Sequence, residues 1–427
     1  MSYYSRREPD PSDPSVPLKT DSYGNPIPHV YNARILLSQL EPFLAYDELR
    51  HQTEFSAPPP WHRPEVDGEG IPRYDDNQIT HLQIWLQSKG LPVNIDVTAR
   101  AVEHVARRNA HHPVRDWLNS LKWDGNQRLD TWLPVYLDTE DNDYTRAVGS
   151  KFLIGAVARA MEPGCKMDHI LVLEADQGDH KSMACQILGG EWYMDGLGSE
   201  NKLDRDACMA MGMAWIVELA EIDEHIRGGA NSRIKSFITR QTDTYKPPYG
   251  RTLIKVPRSC VFIGTTNCDV YLRDPTGNRR YFPVRCWTKP HCRRDVRPLD
   301  RVRDRLFAEA VVRYREGERW WFEDQAECAM AAEEQDYRLI SHAADAAIEQ
   351  YLRQGDAWAS PVTVADIHHY ISVNFDYLLK QGLHLNKHIP ARLHALGYTQ
   401  APQQRDPALG RYSSGRVAKA PRQWVRQ

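Results

Sequence analysis

Between residues 170 and 188 an apolar run, Ile170-Leu171-Val172-Leu173-Glu174, meets a polar loop, Ala175-Asp176-Gln177-Gly178-Asp179-His180-Lys181-Ser182, and then a helix-like stretch, Met183 to Leu188. Strand, phosphate-sized loop and a helix start carrying Lys-Ser are the layout of a nucleotide-binding P-loop, G-x-x-x-x-G-K-[ST]. Such a loop works because backbone N–H groups at a helix N-terminus surround the β-phosphate, Lys adds a point charge and Ser or Thr ligates magnesium. Lys181 and Ser182 supply those two groups, with Gln177, Gly178, Asp179 and His180 leading into them. Two glycines of the pattern are replaced, by Ala175 and His180. If φ is positive at either site, the Cβ costs on the order of 1 kcal/mol or more. Asp176 and Asp179 also set negative charge beside a site meant for anionic phosphates.

The parts that follow the loop are in a telling order. Trp215-Ile216-Val217-Glu218-Leu219 is short, β-branched and flanked by acids, which suits a buried parallel strand. Glu218 and Glu221 then stand where an acidic pair would serve magnesium and the attacking water, and the residues do not say which does which. The plainer reading is two surface acids after a strand. A helix over Ser232 to Thr239 follows, and Leu253 to Val256 reads as one arm of a hairpin. Val261-Phe262-Ile263-Gly264-Thr265-Thr266-Asn267 is a second buried strand, its terminal amide suited to orienting a water as a sensor. Gly277-Asn278-Arg279-Arg280, ahead of the apolar Tyr281-Phe282-Pro283-Val284, offers guanidiniums to a phosphate. Strands alternating with helices indicate α/β architecture with a parallel sheet.

Outside this core the pattern changes. Residues 1–75 are rich in Pro, Ser and Asp and read as a flexible arm, interrupted by one helix around Ile35 to Leu49. Apolar residues at helical spacing (Ile79, Leu82, Leu86; Val97, Ala101, Val105) begin an all-helical module over 76–165, with Pro113, Leu129 to Leu133 and Tyr144 to Met161 marking its later helices. The ATPase-like core is expected over 166–322. Over 323–427 a helix from Gln325 to Leu352 leads to Val362 to Ile367, a helix near Asn386 to Leu396, and short apolar runs at Tyr398 and Trp424 around a glycine-containing turn. That order matches a winged helix-turn-helix, the plainer alternative being a helical cap on the core.

Composition bounds the class. With 41% hydrophobic and 26% charged residues the 427-residue chain belongs with soluble globular proteins of two or three domains. A net charge of −3 gives no global pull toward nucleic acid, but the C-terminal segment is locally basic: from Arg392 onward, Arg392, Arg405, Arg411, Arg416, Lys419, Arg422 and Arg426 are opposed only by Asp406. The eight cysteines form no C-x-x-C pair, which argues against a zinc ribbon or redox motif. No apolar run nears the roughly 20 residues of a membrane span, and Met1 to Arg7 is not a signal-peptide start, so a cytoplasmic protein is expected.

With these motifs on the page the chain resembles the virulence-associated E proteins, helicase-like AAA+ ATPases of phages, prophages and plasmids close to superfamily 3 helicases. The motifs are His112-Pro113-Val114-Arg115-Asp116, Leu121-Lys122-Trp123-Asp124-Gly125, Gln177-Gly178 with Lys181-Ser182, Leu188-Gly189-Gly190-Glu191-Trp192, Trp215 to Glu221, Tyr245-Lys246-Pro247-Pro248-Tyr249-Gly250-Arg251, Gly264 to Asn267, and Gly277 to Arg280. The resemblance covers about residues 110–290. It implies an ATP- and Mg2+-dependent enzyme working as a hexameric ring, with Arg279 or Arg280 acting as arginine finger on the neighbouring subunit. It also implies a DNA-contacting hairpin bearing Lys246, Arg251, Lys255 and Arg258, interleaved with Tyr245 and Tyr249, which would track single-stranded or forked DNA. Arg411, Arg416 and Lys419 would then bind duplex backbone. Partners would include other replication proteins, a primase among them; many relatives carry a primase module ahead of the core, but residues 1–75 show no such pattern, so priming is not expected. The alternative is a DNA-binding assembly or regulatory factor whose nucleotide site is vestigial.

Overall fold

The structure is a computed structural model and is described for residues 16–196, 205–226, 230–246, 252–272, 278–288, 295–354, 362–380, 385–400 and 423–426. Two compact units divide the chain, Met1–Ser120 with Gly212–Ala214, and Leu121–Met211 with Trp215–Gln427.

In the first unit, the segment expected as a loose arm carries regular structure. Its helix is Val30–Leu37, followed by a 3-10 turn through Pro42 and then strand β1, Leu44–Asp47. The expected helix to Leu49 ends early because Pro42 has no N–H to donate and Leu44 to Asp47 instead pair antiparallel with β2, Gln52–Phe55. β1 also pairs in parallel with β3, Ala110–His111, so the module is not all-helical. Helices Asp76–Ser88 and Ile95–Ala106 form where the spacing predicts them, each capped by a side chain: Asp75 accepts from Gln78 N and Asn94 from Val97 N. Leu37, Leu44, Phe55, Leu82, Leu86 and Val102 meet in one core.

The second unit is built on five parallel strands. They are β4 (Ile170–Glu174), β5 (Tyr193–Asp195), β6 (Ile216–Leu219), β9 (Val261–Thr266) and β10 (Tyr281–Arg285), in the spatial order β10-β4-β9-β6-β5. Every residue of β4, β6 and β9 is buried, which is why these strands read as unbroken apolar runs. Gly264 is required where β9 passes helix Ile222–Ile226: a Cβ there would lie 2.8 Å from Ile222 Cδ1. Helix Asp143–Met161, started by a capping box at Asn142 and Thr145, packs on the sheet and on helix Arg303–Arg315, and Trp215 Nε1 donates to Ala156 O at 2.9 Å. The cysteines among the described residues are free.

A separate hairpin joins β7 (Thr242–Tyr245) to β8 (Ile254–Pro257), pairing Thr244 with Lys255. Lys246 and Lys255 are exposed, while Arg251 lies outside the described residues. Arg258 corrects the expectation of a DNA contact. Its side chain is buried, forms a bidentate pair with Asp243 (2.7 and 2.9 Å), donates to Phe237 O at 2.6 Å and lies over the Phe237 ring. A guanidinium so satisfied is part of the interior.

The long helix expected from Gln325 to Leu352 is two helices, Gln325–Tyr337 and Ile340–Arg353. The break falls where Arg338 turns inward to hold Glu174, at the end of β4, with Nη2 to Oε2 at 2.9 Å, and where Leu339 bridges to Leu272. Beyond it come β11 (Val362–Thr363), helix Val364–Asn374, helix Asp376–Lys380, helix Leu385–Ala395, β12 (Tyr398–Gln400) and β13 (Gln423–Arg426). The strands form an antiparallel sheet in the order β11-β13-β12 over a core of Ile348, Ile367, Ile371, Ile389, Leu393 and Trp424. Residues 401–422, with Arg411, Arg416 and Lys419, lie outside the described residues. In helix Leu385–Ala395, His388 and Arg392 are paired to Asp345 and Glu349.

Replacing Arg258 by Ala should cost about 3–5 kcal/mol, because Asp243 is left as a buried charge without its main partner. Urea unfolding measures this; unchanged stability with weakened DNA binding would restore Arg258 to the DNA-contacting set.

Candidate nucleotide site

Parallel pairing puts the carboxyl ends of all five strands on one edge of the sheet, the edge at which α/β proteins collect ligands. The register sets Glu174 beside Thr266 and Arg285, and Glu218 beside Asp195 and Ile263. The loop after β4 enters helix Lys181–Gly189 here. A cavity of about 410 Å³ opens on it, lined by Gln177 to Met183, Ala220, Glu221 and Thr265 to Asn267.

Lys181 is nearly buried, and its Nζ donates to Ala175 O (2.8 Å), Asp176 O (2.9 Å) and Asn267 Oδ1 (2.9 Å). Burial draws its pKa below the ordinary lysine range, against the opposing pull of Asp179. Ser182 Oγ donates to Glu218 Oε1 at 2.7 Å, and Thr265 Oγ1 donates to the same oxygen at 2.7 Å. Tyr193 OH donates to Glu218 Oε2. Burial, then the Glu218 carboxylate, pushes that phenol well above the tyrosine range, so it stays a donor. Glu218 is therefore a buried carboxylate with both oxygens engaged. Glu221 differs: it is exposed, faces the cavity and has φ +50°.

The altered loop positions behave differently from each other. His180 adopts φ 54° and ψ 21°, the left-handed region in which a glycine would be unstrained, whereas Ala175 is buried and is not among the residues of positive φ. Gly178, at φ +88°, uses its freedom. The charge of Asp176 is met by Arg285, whose guanidinium lies 3.4 Å away and also pairs with Asp269. Asp179 is nearly buried in the cavity lining beside Lys181, which feels its charge, and its backbone carbonyl accepts from Trp287 Nε1 at 2.9 Å. Arg285, Tyr193 and Thr265 were not foreseen. Thr265 could have been read from its place one residue before the strand's polar tip; Tyr193 and Arg285 sit in short strands that carry no isolated signal.

The structure brings Gln177 to Ser182, Glu218, Glu221 and Asn267 to this edge, but not Arg279 and Arg280. Those two precede β10, whose first residue, Tyr281, pairs with Ile170 at the start of β4. They are therefore at the opposite edge, roughly 15 Å of strand away. They line a second cavity, of about 560 Å³, with His169, Phe282 and Phe322.

With this geometry in view, the model of the virulence-associated protein E-like domain matches residues 118–339. The chain belongs to that family, the one its motifs resemble. A search of curated proteins gave no match. Among solved structures the chain is similar to the NrS-1 C-terminal region: two apo structures of it share 12% and 11% identity over 72% of this chain and 77% of that one, with TM-scores of 0.39 and 0.35.

Replacing His180 by Gly removes the left-handed strain at the loop and should raise the unfolding free energy by about 1 kcal/mol. A calorimetric melt checks it; a fall in stability would mean that the imidazole itself supports the loop.

Proposed function

We propose that this protein is an ATP-hydrolysing, helicase- or translocase-like replication protein of a mobile genetic element, acting in the cytoplasm. The observation that carries the reading is the contact of Ser182 Oγ with Glu218 Oε1, 36 residues apart in sequence, beside a lysine held by a strand-end asparagine. Lys, Ser, acid and Asn converge from a loop and two strands in the arrangement a P-loop ATPase requires. The strand order β10-β4-β9-β6-β5 supports an AAA+ core, because it sets the acidic strand β6 and the sensor strand β9 side by side next to the loop strand.

Ser182 and Glu218 are the residues that would hold Mg2+; the hydroxyl and carboxylate are hard oxygen donors that suit it. Bound Mg2+ supplies neutralisation of the phosphate charge. Lys181 would exchange its contacts with the Ala175 and Asp176 carbonyls for the β- and γ-phosphates of ATP, guided by the loop N–H groups. The two glutamates divide their work by environment. Glu218 is buried and held in place by three hydroxyl donors beside Ser182, which suits a metal ligand, whereas exposed Glu221 faces the cavity and is assigned as general base, with Asn267 orienting the water. Arg279 and Arg280 stand at the far edge of the sheet, so either would serve only a neighbouring subunit's nucleotide, which favours a ring, hexameric in the reading adopted here.

For DNA, the helix-strand-helix-helix-helix-strand-strand order with a β11-β13-β12 sheet supports a winged-helix module. Lys246 and Lys255 remain as hairpin contacts for single-stranded or forked DNA. His388 and Arg392 are occupied by acids, which favours backbone contacts by the segment bearing Arg411, Arg416 and Lys419 over base reading by helix Leu385–Ala395. Other replication proteins, a primase among them, are the natural partners of such a motor.

Phosphate release from Mg2+-ATP, with and without single-stranded and forked DNA, tests this. Turnover should be stimulated by DNA and fall at least about 100-fold in Lys181→Ala and Glu221→Gln. Unchanged turnover in Lys181→Ala would sink the reading. No turnover in the wild type with DNA binding intact would leave the assembly-factor alternative, which the capture of Lys181 by its own loop carbonyls favours.

A further inference from the structure

Leu188-Gly189-Gly190-Glu191-Trp192 lends no residue to the lining of the loop cavity, yet it runs directly into Tyr193, the first residue of β5. Its residues hold that strand in place. Gly189 lies so close to Tyr193 that a Cβ would sit 2.6 Å from Tyr193 Cβ and 3.3 Å from Ile216 Cβ. Gly190, at φ +56°, leaves room for the Arg303 guanidinium, whose Nε donates to Leu188 O at 3.0 Å. Trp192 O accepts from Trp215 N at 2.8 Å and the two indoles meet edge to face, locking β5 in register so that Tyr193 pairs with Ile216 and Asp195 with Glu218. From this placement the Tyr193 hydroxyl reaches Glu218 Oε2 at 2.5 Å, while Ser182 and Thr265 hold Oε1.

We infer that Tyr193 is a positioning residue for Glu218: its hydroxyl anchors one carboxylate oxygen so that the other stays turned toward Ser182, with which it would hold Mg2+. This rests on the ATP-binding reading above. Without the hydroxyl, Oε2 has lost its hydrogen bond in a buried site and the carboxylate is free to rotate away from Ser182. The effect is specific to steps that use Mg2+, because Tyr193 does not line the loop cavity and Lys181 Nζ is held by Ala175, Asp176 and Asn267.

Tyr193→Phe keeps the ring against Gly189 and removes only the hydroxyl. A fluorescent ATP analogue is titrated against wild type and variant, once with Mg2+ and once with EDTA. The Mg2+-dependent gain in affinity should fall about tenfold in the variant, the EDTA affinity should be unchanged, and the Mg2+ concentration for half-maximal turnover should rise. In the nucleotide-free protein, thermal midpoints of Tyr193→Phe, Glu218→Gln and the double variant should not add, as befits groups in contact. An equal Mg2+ gain in variant and wild type overturns the inference, as does an equal loss with and without Mg2+, which would mark a purely structural ring. A wild type that binds Mg2+-ATP without turning it over overturns hydrolysis alone, and the binding titration still decides the role of Tyr193.

Discussion

Glu218 is a carboxylate at the end of an apolar strand, almost wholly removed from water. A charge there is tolerable only if donors meet it, and three hydroxyls do, from helix Lys181–Gly189, from β9 and from β5. Those contacts tie the helix that follows the loop to the middle and edge of the sheet. They require the parallel register, since antiparallel pairing of β5, β6 and β9 would send their side chains to opposite edges. The same parallel register brings Asn267 beside Lys181 and Glu221 to the cavity at that edge.

Much of the site was legible because its parts lie at the ends of unbroken apolar runs. Ile170 to Glu174, Ile216 to Leu219 and Val261 to Thr266 form strands where the β-branched runs predict them, and the polar residues that end them converge. What stayed hidden depends on tertiary pairing. β5 is three residues long, too short to carry a period, and becomes a strand only beside β6. β10 contains Pro283, which argues against a strand in isolation but is accommodated here on the sheet's outer strand. Arg258 reads as one of a basic set, and only the fold reveals Asp243 beneath it. The first 75 residues look irregular because Pro and Ser interrupt every period, yet Leu37, Leu44 and Phe55 supply enough apolar surface for a core.

The altered loop is less damaged than its residue types suggest. One of the two lost glycines stood where no positive φ is used, and histidine is among the side chains that tolerate the left-handed region better than most. Of the two added acids, Asp176 is offset by Arg285 and Asp179 is opposed by the charge of Lys181. The arginines before β10 are set apart from all this by the length of a strand, a separation that belongs to the sheet's polarity and would persist under any local rearrangement of the loop.

Hydrogen exchange with and without Mg2+-ATP tests most directly whether this edge of the sheet is the nucleotide site. Slower exchange should concentrate in the loop and helix start at 175–183, with smaller effects after β6 at 219–221 and after β9 at 266–268. Unchanged exchange at all three segments under saturating nucleotide, or protection confined to the opposite edge around Arg279 and Arg280, would contradict it.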